Sequence, residues 1–427
     1  MNERTEPESP TPLDSSSFDP DGVAPVSEPA AEPVAEIPAI PNPPDTVQPA
    51  TSNLRLWVMC AVGVLAFGVV FIAMVAAGGE FREFASAGLE FFPFAILAVM
   101  AYASNPKGIG GKALTLTYWV MIVGAFGITA LAMTVFGVLQ LKVGVNTEIP
   151  PPTVGQILRI VAAGLALLAA VALGLICFSM WVRKRAAARL DMEADSFVHA
   201  TALATTVSMA LMCVIPLLAT HQPLTEWLFN PQSGLKLDGS EFTVSSMAYG
   251  LIWTVPASFI AVGFPIKRTL REAQQRLALF LPTRRQVAIG IGLALVLALA
   301  SGPVNFLIGA LWKLLGLPLT DTHSVEALFK NAMTPLGAVI VGISAGLGEE
   351  LVFRGVLVPR LGILLPALLF TALHAFQYNF DALIWIFILG VVLGVARRKA
   401  NTTTCVLIHG IYDLTLLLAA YLWGSSS

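Results

Sequence analysis

The chain has 427 residues, 56% of them hydrophobic and only 12% charged, with a formal net charge of -2. Soluble domains carry about 25% charged residues, so this composition excludes an ordinary soluble globule. It also argues against a nucleic-acid partner, because the basic residues stand in short clusters at the ends of apolar runs with no stacking aromatics between them.

The first 50 residues hold ten Asp/Glu against one basic residue, Arg4, and twelve prolines. Such a stretch buries too little apolar surface to offset its conformational entropy, so residues 1–52 are expected to be a disordered acidic tail. The tail is too long and too acidic for the n-region of a signal peptide. The first apolar run is therefore expected to be a retained anchor.

Apolar runs then follow at about 56–77, 84–103, 114–140, 157–182, 197–220, 244–265, 287–312, 335–353, 361–376, 382–396 and 403–423. The expected fold is all-α, a polytopic transmembrane helical bundle of about eleven spans. Basic clusters at Arg183–Arg189, Lys267–Arg276 and Arg397–Lys399 fall on one side of such a set, with Lys107 and Lys112. By the positive-inside rule that side, and the N-terminus, is cytosolic. The protein is expected to be an integral multi-pass protein of the plasma or inner membrane, with the lipid bilayer as its surroundings.

Lys267 to Gln286 reads either as an interfacial amphipathic segment or as a plain cytosolic loop. In the first reading Arg271, Arg276, Arg284 and Arg285 face anionic headgroups. Cys60, Cys177, Cys213 and Cys405 each lie among apolar residues without a Cys-x-x-Cys pair, and are expected to be buried small hydrophobes.

One stretch departs from this apolar pattern, Gly348-Glu349-Glu350-Leu351-Val352-Phe353-Arg354-Gly355. A charge at the bilayer centre costs about 2.5–3.5 kcal/mol, and intramembrane ionisable groups are functional by default. Glu350 and Arg354 are four apart and can neutralise one another on one helical face. Glu349 points elsewhere and has no local partner. His374 and His409 lie in later apolar runs, with Asp413 one turn after His409. Counted from Arg360 and Lys399, Glu349, His374 and His409 share a depth of roughly 15–21 Å at 1.5 Å per residue. Imidazole and carboxylate at one level can activate water, although each can also be a satisfied core polar group. Gly342-Ile343-Ser344-Ala345-Gly346 matches a nucleophile-elbow pattern, but it sits inside a helical run and reads better as a small-xxx-small packing face.

The ordered set Glu349-Glu350-xxx-Arg354, Phe370-xxx-His374 and His409-xxx-Asp413 resembles the CPBP (Abi) intramembrane proteases, the type II CAAX prenyl endopeptidase family. That family carries EExxxR, FxxxH and HxxxN/D on successive helices. The resemblance covers about residues 335–420. It implies a catalytic transmembrane domain at 331–427, following an accessory transmembrane region at 53–330 of unassigned function. It also implies an intramembrane endopeptidase, glutamate-dependent or metallo, in which Glu349 and His374 polarise a water for attack on a peptide or membrane-protein substrate. His409 and Asp413 would then stabilise the oxyanion. Glu350 and Arg354 would form a structural ion pair, with Arg354 near the substrate entrance. The cofactor stays open. Glu349, His374 and His409 can hold Zn2+ with a free position, and a metal-free glutamate mechanism uses the same residues. Two other classes remain in view, a membrane transporter and a non-catalytic scaffold that retains the fold. Against a transporter, the intramembrane charges do not recur in two corresponding halves.

Overall fold

The computed structural model describes residues 53–104, 109–141, 151–230 and 243–424. The acidic tail, Lys107 and the side chain of Cys60 lie outside the described residues. In order the helices are α1 (Asn53–Ala77), α2 (Gly79–Ala103), α3 (Ile109–Leu139), α4 (Val154–Cys177), α5 (Met180–Ala187), α6 (Phe197–Thr220), α7 (Leu224–Leu228) and α8 (Val244–Ala261). They continue with α9 (Leu270–Leu277), α10 (Arg284–Leu314), α11 (Thr322–Phe329), α12 (Pro335–Glu350), α13 (Val358–Leu361), α14 (Leu364–Leu373), α15 (Phe380–Lys399) and α16 (Thr402–Gly424). No strand occurs among the described residues. Hydrocarbon offers no hydrogen bonds, so each crossing segment must satisfy its own backbone, and a helix does so locally.

Nine helical segments among the described residues are long and apolar enough to cross a membrane, and two shorter apolar ones, Ala61–Ala77 and Leu364–Phe376, complete the eleven expected runs. The helix starts follow ordinary cap chemistry. Thr153, Thr269 and Thr283 form capping boxes with Gln156, Glu272 and Gln286. Thr334 caps α12 with Pro335 in its first turn. Leu65, Val69, Leu168, Leu299, Phe306 and Leu307 are well exposed. In a bilayer these side chains meet lipid tails.

Two cores position the site. In one, fully buried Trp119 of α3 packs with Ala163 and Leu167 of α4 and with Leu203 and Met212 of α6. In the other, Trp385 of α15 donates from its indole N–H to the Tyr412 hydroxyl of α16 at 2.8 Å, among Ala294 and Leu297 of α10. A third cluster joins Met209 and Cys213 of α6 to Phe353, Leu369 and Phe370. Residues before 331 therefore share a core with the motif helices.

The region around α9 departs from the headgroup-facing expectation. The helix spans only Leu270–Leu277, and its Ala273, Arg276 and Leu277 are buried. Arg271, Arg284 and Arg285 are exposed, but Arg276 turns inward. Cys177, Cys213 and Cys405 are buried, as expected of small apolar side chains.

The small-xxx-small face fixes the active region. A Cβ on Gly342 would stand 2.7 Å from the carbonyl oxygen of Gly410, and one on Gly346 would stand 2.9 Å from the Gly410 nitrogen and the Val406 oxygen. Helices α12 and α16 thus meet backbone to backbone, which only glycine permits at this spacing. Glu349 and Glu350 at the end of α12 are brought against His409 by this contact.

Candidate active site

Past Glu350 the helix does not stop. It widens into a π-helical turn over Leu351–Leu357, then resumes as α13. Proline explains part of the change. Pro359 has no N–H, so the carbonyl of Arg354, five residues back in the π register, loses its helical donor. Side chains bond the carbonyls of this turn. Arg276 donates to the Gly355 oxygen at 3.1 Å and to the Val356 oxygen at 3.4 Å. Arg397 donates from Nε to the Arg354 oxygen at 3.1 Å. π turns of this kind are frequent at functional sites.

The two adjacent carboxylates meet different surroundings. Glu350 is fully buried, and its Oε1 accepts from Arg354 Nη1 at 2.8 Å and pairs with His409 Nδ1 at 2.8 Å. Arg354, 1% exposed, also donates to the Gly390 carbonyl of α15 at 3.1 Å and lies over the Phe370 ring at 4.7 Å. Burial on this scale removes Arg354 from any substrate entrance, the place expected for it from sequence. Glu350 has a task beyond the expected pair, since it accepts the Nδ1–H of His409 and fixes that ring with Nε2 facing away.

Glu349 is different. Its side chain is 35% exposed, and its Oε2 has no hydrogen-bond partner and lies 4.0 Å from His409 Nε2. The same Nε2 is 3.5 Å from Asp413 Oδ2. His409 therefore stands between a buried carboxylate on one nitrogen and two carboxylates on the other.

His374 comes from a third helix. Residues Leu364–Leu373 form α14, and His374–Phe376 close it in a single 3-10 turn. The His374 Nδ1 stands 2.8 Å from the Phe370 carbonyl oxygen, which can only accept, so the neutral ring carries its lone pair on Nε2. Phe370 is the spacer. Its ring centroid is 4.8 Å from that of His374 and 5.9 Å from that of His409. Arg354, His374 and His409 thus gather around one phenylalanine, and Glu349, Glu350 and Asp413 stand against His409.

Tyr378 belongs to the same surroundings and was not among the sequence candidates. Its ring stacks on His374 with centroids 6.3 Å apart. The helical spacing from His374 to Tyr378 is the signal that pointed to it. The turn that holds both is pinned from neighbouring segments. Thr225 donates to the Gln377 carbonyl at 3.0 Å, and Asn379 bonds Thr320 and the His221 carbonyl at 2.9 and 3.1 Å.

As for zinc, no group of three His, Cys, Asp or Glu side chains among the described residues is placed to hold a metal ion. Glu349, His374 and His409 do not form such a group, although the Nδ1 bond of His409 to Glu350 is the arrangement that leaves Nε2 as a ligand nitrogen.

No curated protein and no solved structure matches the chain. Residues 331–415, which contain all seven motif side chains, match the family model described as type II CAAX prenyl endopeptidase Rce1-like, so over this segment the helical membrane protein is similar to that family.

Proposed function

We propose that the protein is an intramembrane endopeptidase that cleaves a peptide or membrane-protein substrate with water activated by Glu349 and His374. The observation that carries this reading is the division of labour between neighbours. Glu350 is fully buried and bonded through Oε1 to Arg354 and His409, while Glu349 is 35% exposed and faces His409 Nε2 without a hydrogen bond on Oε2. In the first step Glu349 takes a proton from water, which His374 holds through its Nε2 lone pair, and the oxygen attacks the scissile carbonyl. The oxyanion then accepts from Nε2–H of His409 in its imidazolium form, the ring being aimed by Glu350 at Nδ1, and from Asp413 in its protonated form. Glu349 returns its proton to the leaving nitrogen.

Glu349→Gln keeps the shape but cannot take the proton. Cleavage should fall by about 10²–10⁴-fold with the melting temperature unchanged. Membranes holding this variant should retain an uncut protein that mass spectrometry finds cut beside the wild type. Wild-type turnover by Glu349→Gln would sink the proposal. The basic loops orient the site with its N-terminal side in the cytosol. A reporter that works only in the cytosol, fused after Ser427, should be silent, and its activity would reverse the orientation.

A further inference from the structure

Helix α2 carries three carboxylates, and the deepest of them stands apart. Glu80 accepts from the Tyr249 hydroxyl and Glu83 from that of Thr243, both near the N-terminal end of the helix. Glu90 is exposed, and it has no hydrogen-bond or ion-pair partner among the described residues. It lies eleven residues from Gly79 and thirteen from Ala103, the ends of a candidate span, hence roughly 16–20 Å from either end at 1.5 Å per residue. Carboxylates at such depth almost always face a water-filled space or pair with a cation. Glu90 does not turn toward α8. Gly88 faces that helix, since a Cβ there would stand 2.8 Å from the Trp253 ring, and two further residues turn the helix by about 200°. The face that Glu90 occupies also bears exposed Arg82 and Ser86 at four-residue steps. Exposed Leu89 lies beside it, and Pro93 has no N–H to give the Leu89 carbonyl. One turn on from Glu90, Phe94 meets Phe126 of α3 with centroids 6.1 Å apart and packs on the cluster of Phe353 and Phe370.

We propose that this face of α2 docks a transmembrane helix of another protein, one that carries a lysine or arginine at the depth of Glu90. Such a cation brings both the counter-charge and the N–H groups that the carboxylate, the Ser86 hydroxyl and the Leu89 carbonyl can accept. Ser86 is small enough to let a partner helix approach closely. Lipid headgroups stay at the interface, outside the hydrocarbon core that Glu90 occupies. A second copy of this chain offers no such cation among the described residues. Within the nine candidate spans Arg354 is 1% exposed, and every other basic residue stands within five residues of a span end. A helix docked at Glu90 lies one turn from Phe94, and so from the packing that holds Phe370 between His374 and His409. The inference does not depend on the peptidase reading, because its readout is association.

The test reconstitutes the full-length chain, with a fluorophore at its C-terminus, in phosphatidylcholine vesicles. The probe is a labelled leucine–alanine helix of about 21 residues whose central residue is Lys, Leu or Glu. Energy transfer between the two labels reads association. The Lys peptide should associate about tenfold more tightly than the Leu peptide, the worth of one charge-assisted hydrogen bond. Moving its lysine two turns toward either end should remove the advantage. Glu90→Gln should bind the Lys and Leu peptides alike at an unchanged melting temperature, and Glu90→Lys should turn the preference toward the Glu peptide. Glu326→Gln, exposed on α11 outside the candidate spans, should behave as the wild type. A wild type that does not distinguish the Lys from the Leu peptide overturns the proposal, and so does a preference for Lys that Glu90→Gln retains.

Discussion

The buried triad Arg354–Glu350–His409 makes a quantitative test of what the paired charges do. Arg354→Met keeps most of the side-chain volume and removes the guanidinium. Glu350 is fully buried, its Oε2 already lacks a partner, and its Oε1 would keep only His409. Stranding one member of a buried pair costs about 3–5 kcal/mol. The Gly390 carbonyl also loses its donor, worth about 1–3 kcal/mol, although the two terms share one side chain and do not simply add. Glu350→Gln with Arg354→Met removes both charges while the amide oxygen still accepts from His409. Replacing both members of a buried pair is often neutral, so the double variant should recover more than half of the loss. Denaturant unfolding of the purified protein in detergent reads all three variants. A loss below about 1 kcal/mol for Arg354→Met, or a double variant no more stable than that single one, would refute the buried-pair reasoning.

Two further outcomes are expected. Gly410→Ala puts a Cβ 2.7 Å from the Gly342 carbonyl, a backbone atom, so α12 and α16 must part; overpacking of this kind costs about 1–3 kcal/mol and moves His409 off the carboxylates. Gly292→Ala, with open space at its Cβ, should melt no lower than the wild type, and a Gly410→Ala variant as stable and active as it would contradict the close contact. On the opposite face Glu226 is pushed up to about 7, first by burial and also by the charges on Asp321 and Asp381. The folded state then holds this proton more tightly than the unfolded one, so its contribution is full below about pH 4.5 and is lost as pH rises through about 7. Glu226→Gln, which keeps an acceptor for the Asp321 N–H, should flatten stability across that window and exceed the wild type above it. Melting temperatures in a pH series check this, and unchanged curves would count against the shift.

Much of this site was legible in the sequence because membranes simplify the reading. Long apolar runs favour helices, so the sequence alone puts Glu349, His374 and His409 on three successive helices. Gly342 and Gly346 also announced the packing face, since their four-residue spacing puts two missing side chains on one side of α12. Other features were hidden because they depend on contacts distant in sequence. Helical geometry separates Glu349 from Glu350 by an angle, but not which of them His409 would engage. Asp413 was visible as the local partner of His409, whereas Glu350, 59 residues away, holds the other nitrogen. The inward turn of Arg276 was equally hidden, because the charge pattern of Lys267–Gln286 is the same whether an arginine meets headgroups or carbonyls.

That last ambiguity has a physical basis that reaches beyond one residue. Pro359 strips a donor from the carbonyl of Arg354, and an unsatisfied carbonyl within a low-dielectric bundle costs several kcal/mol. Arg397 of α15 supplies that donor and Arg276 of α9 bonds the next carbonyl, Gly355, although both belong to basic clusters that a positive-inside count would assign to topology. The same guanidinium thus answers a topological demand and a hydrogen-bonding one, and a count of charges cannot separate the two. A broken hydrogen-bond ladder can. Where a proline follows in a π turn, as Pro359 does, the carbonyl five residues earlier needs a donor, and an arginine of a neighbouring segment is long enough to reach it.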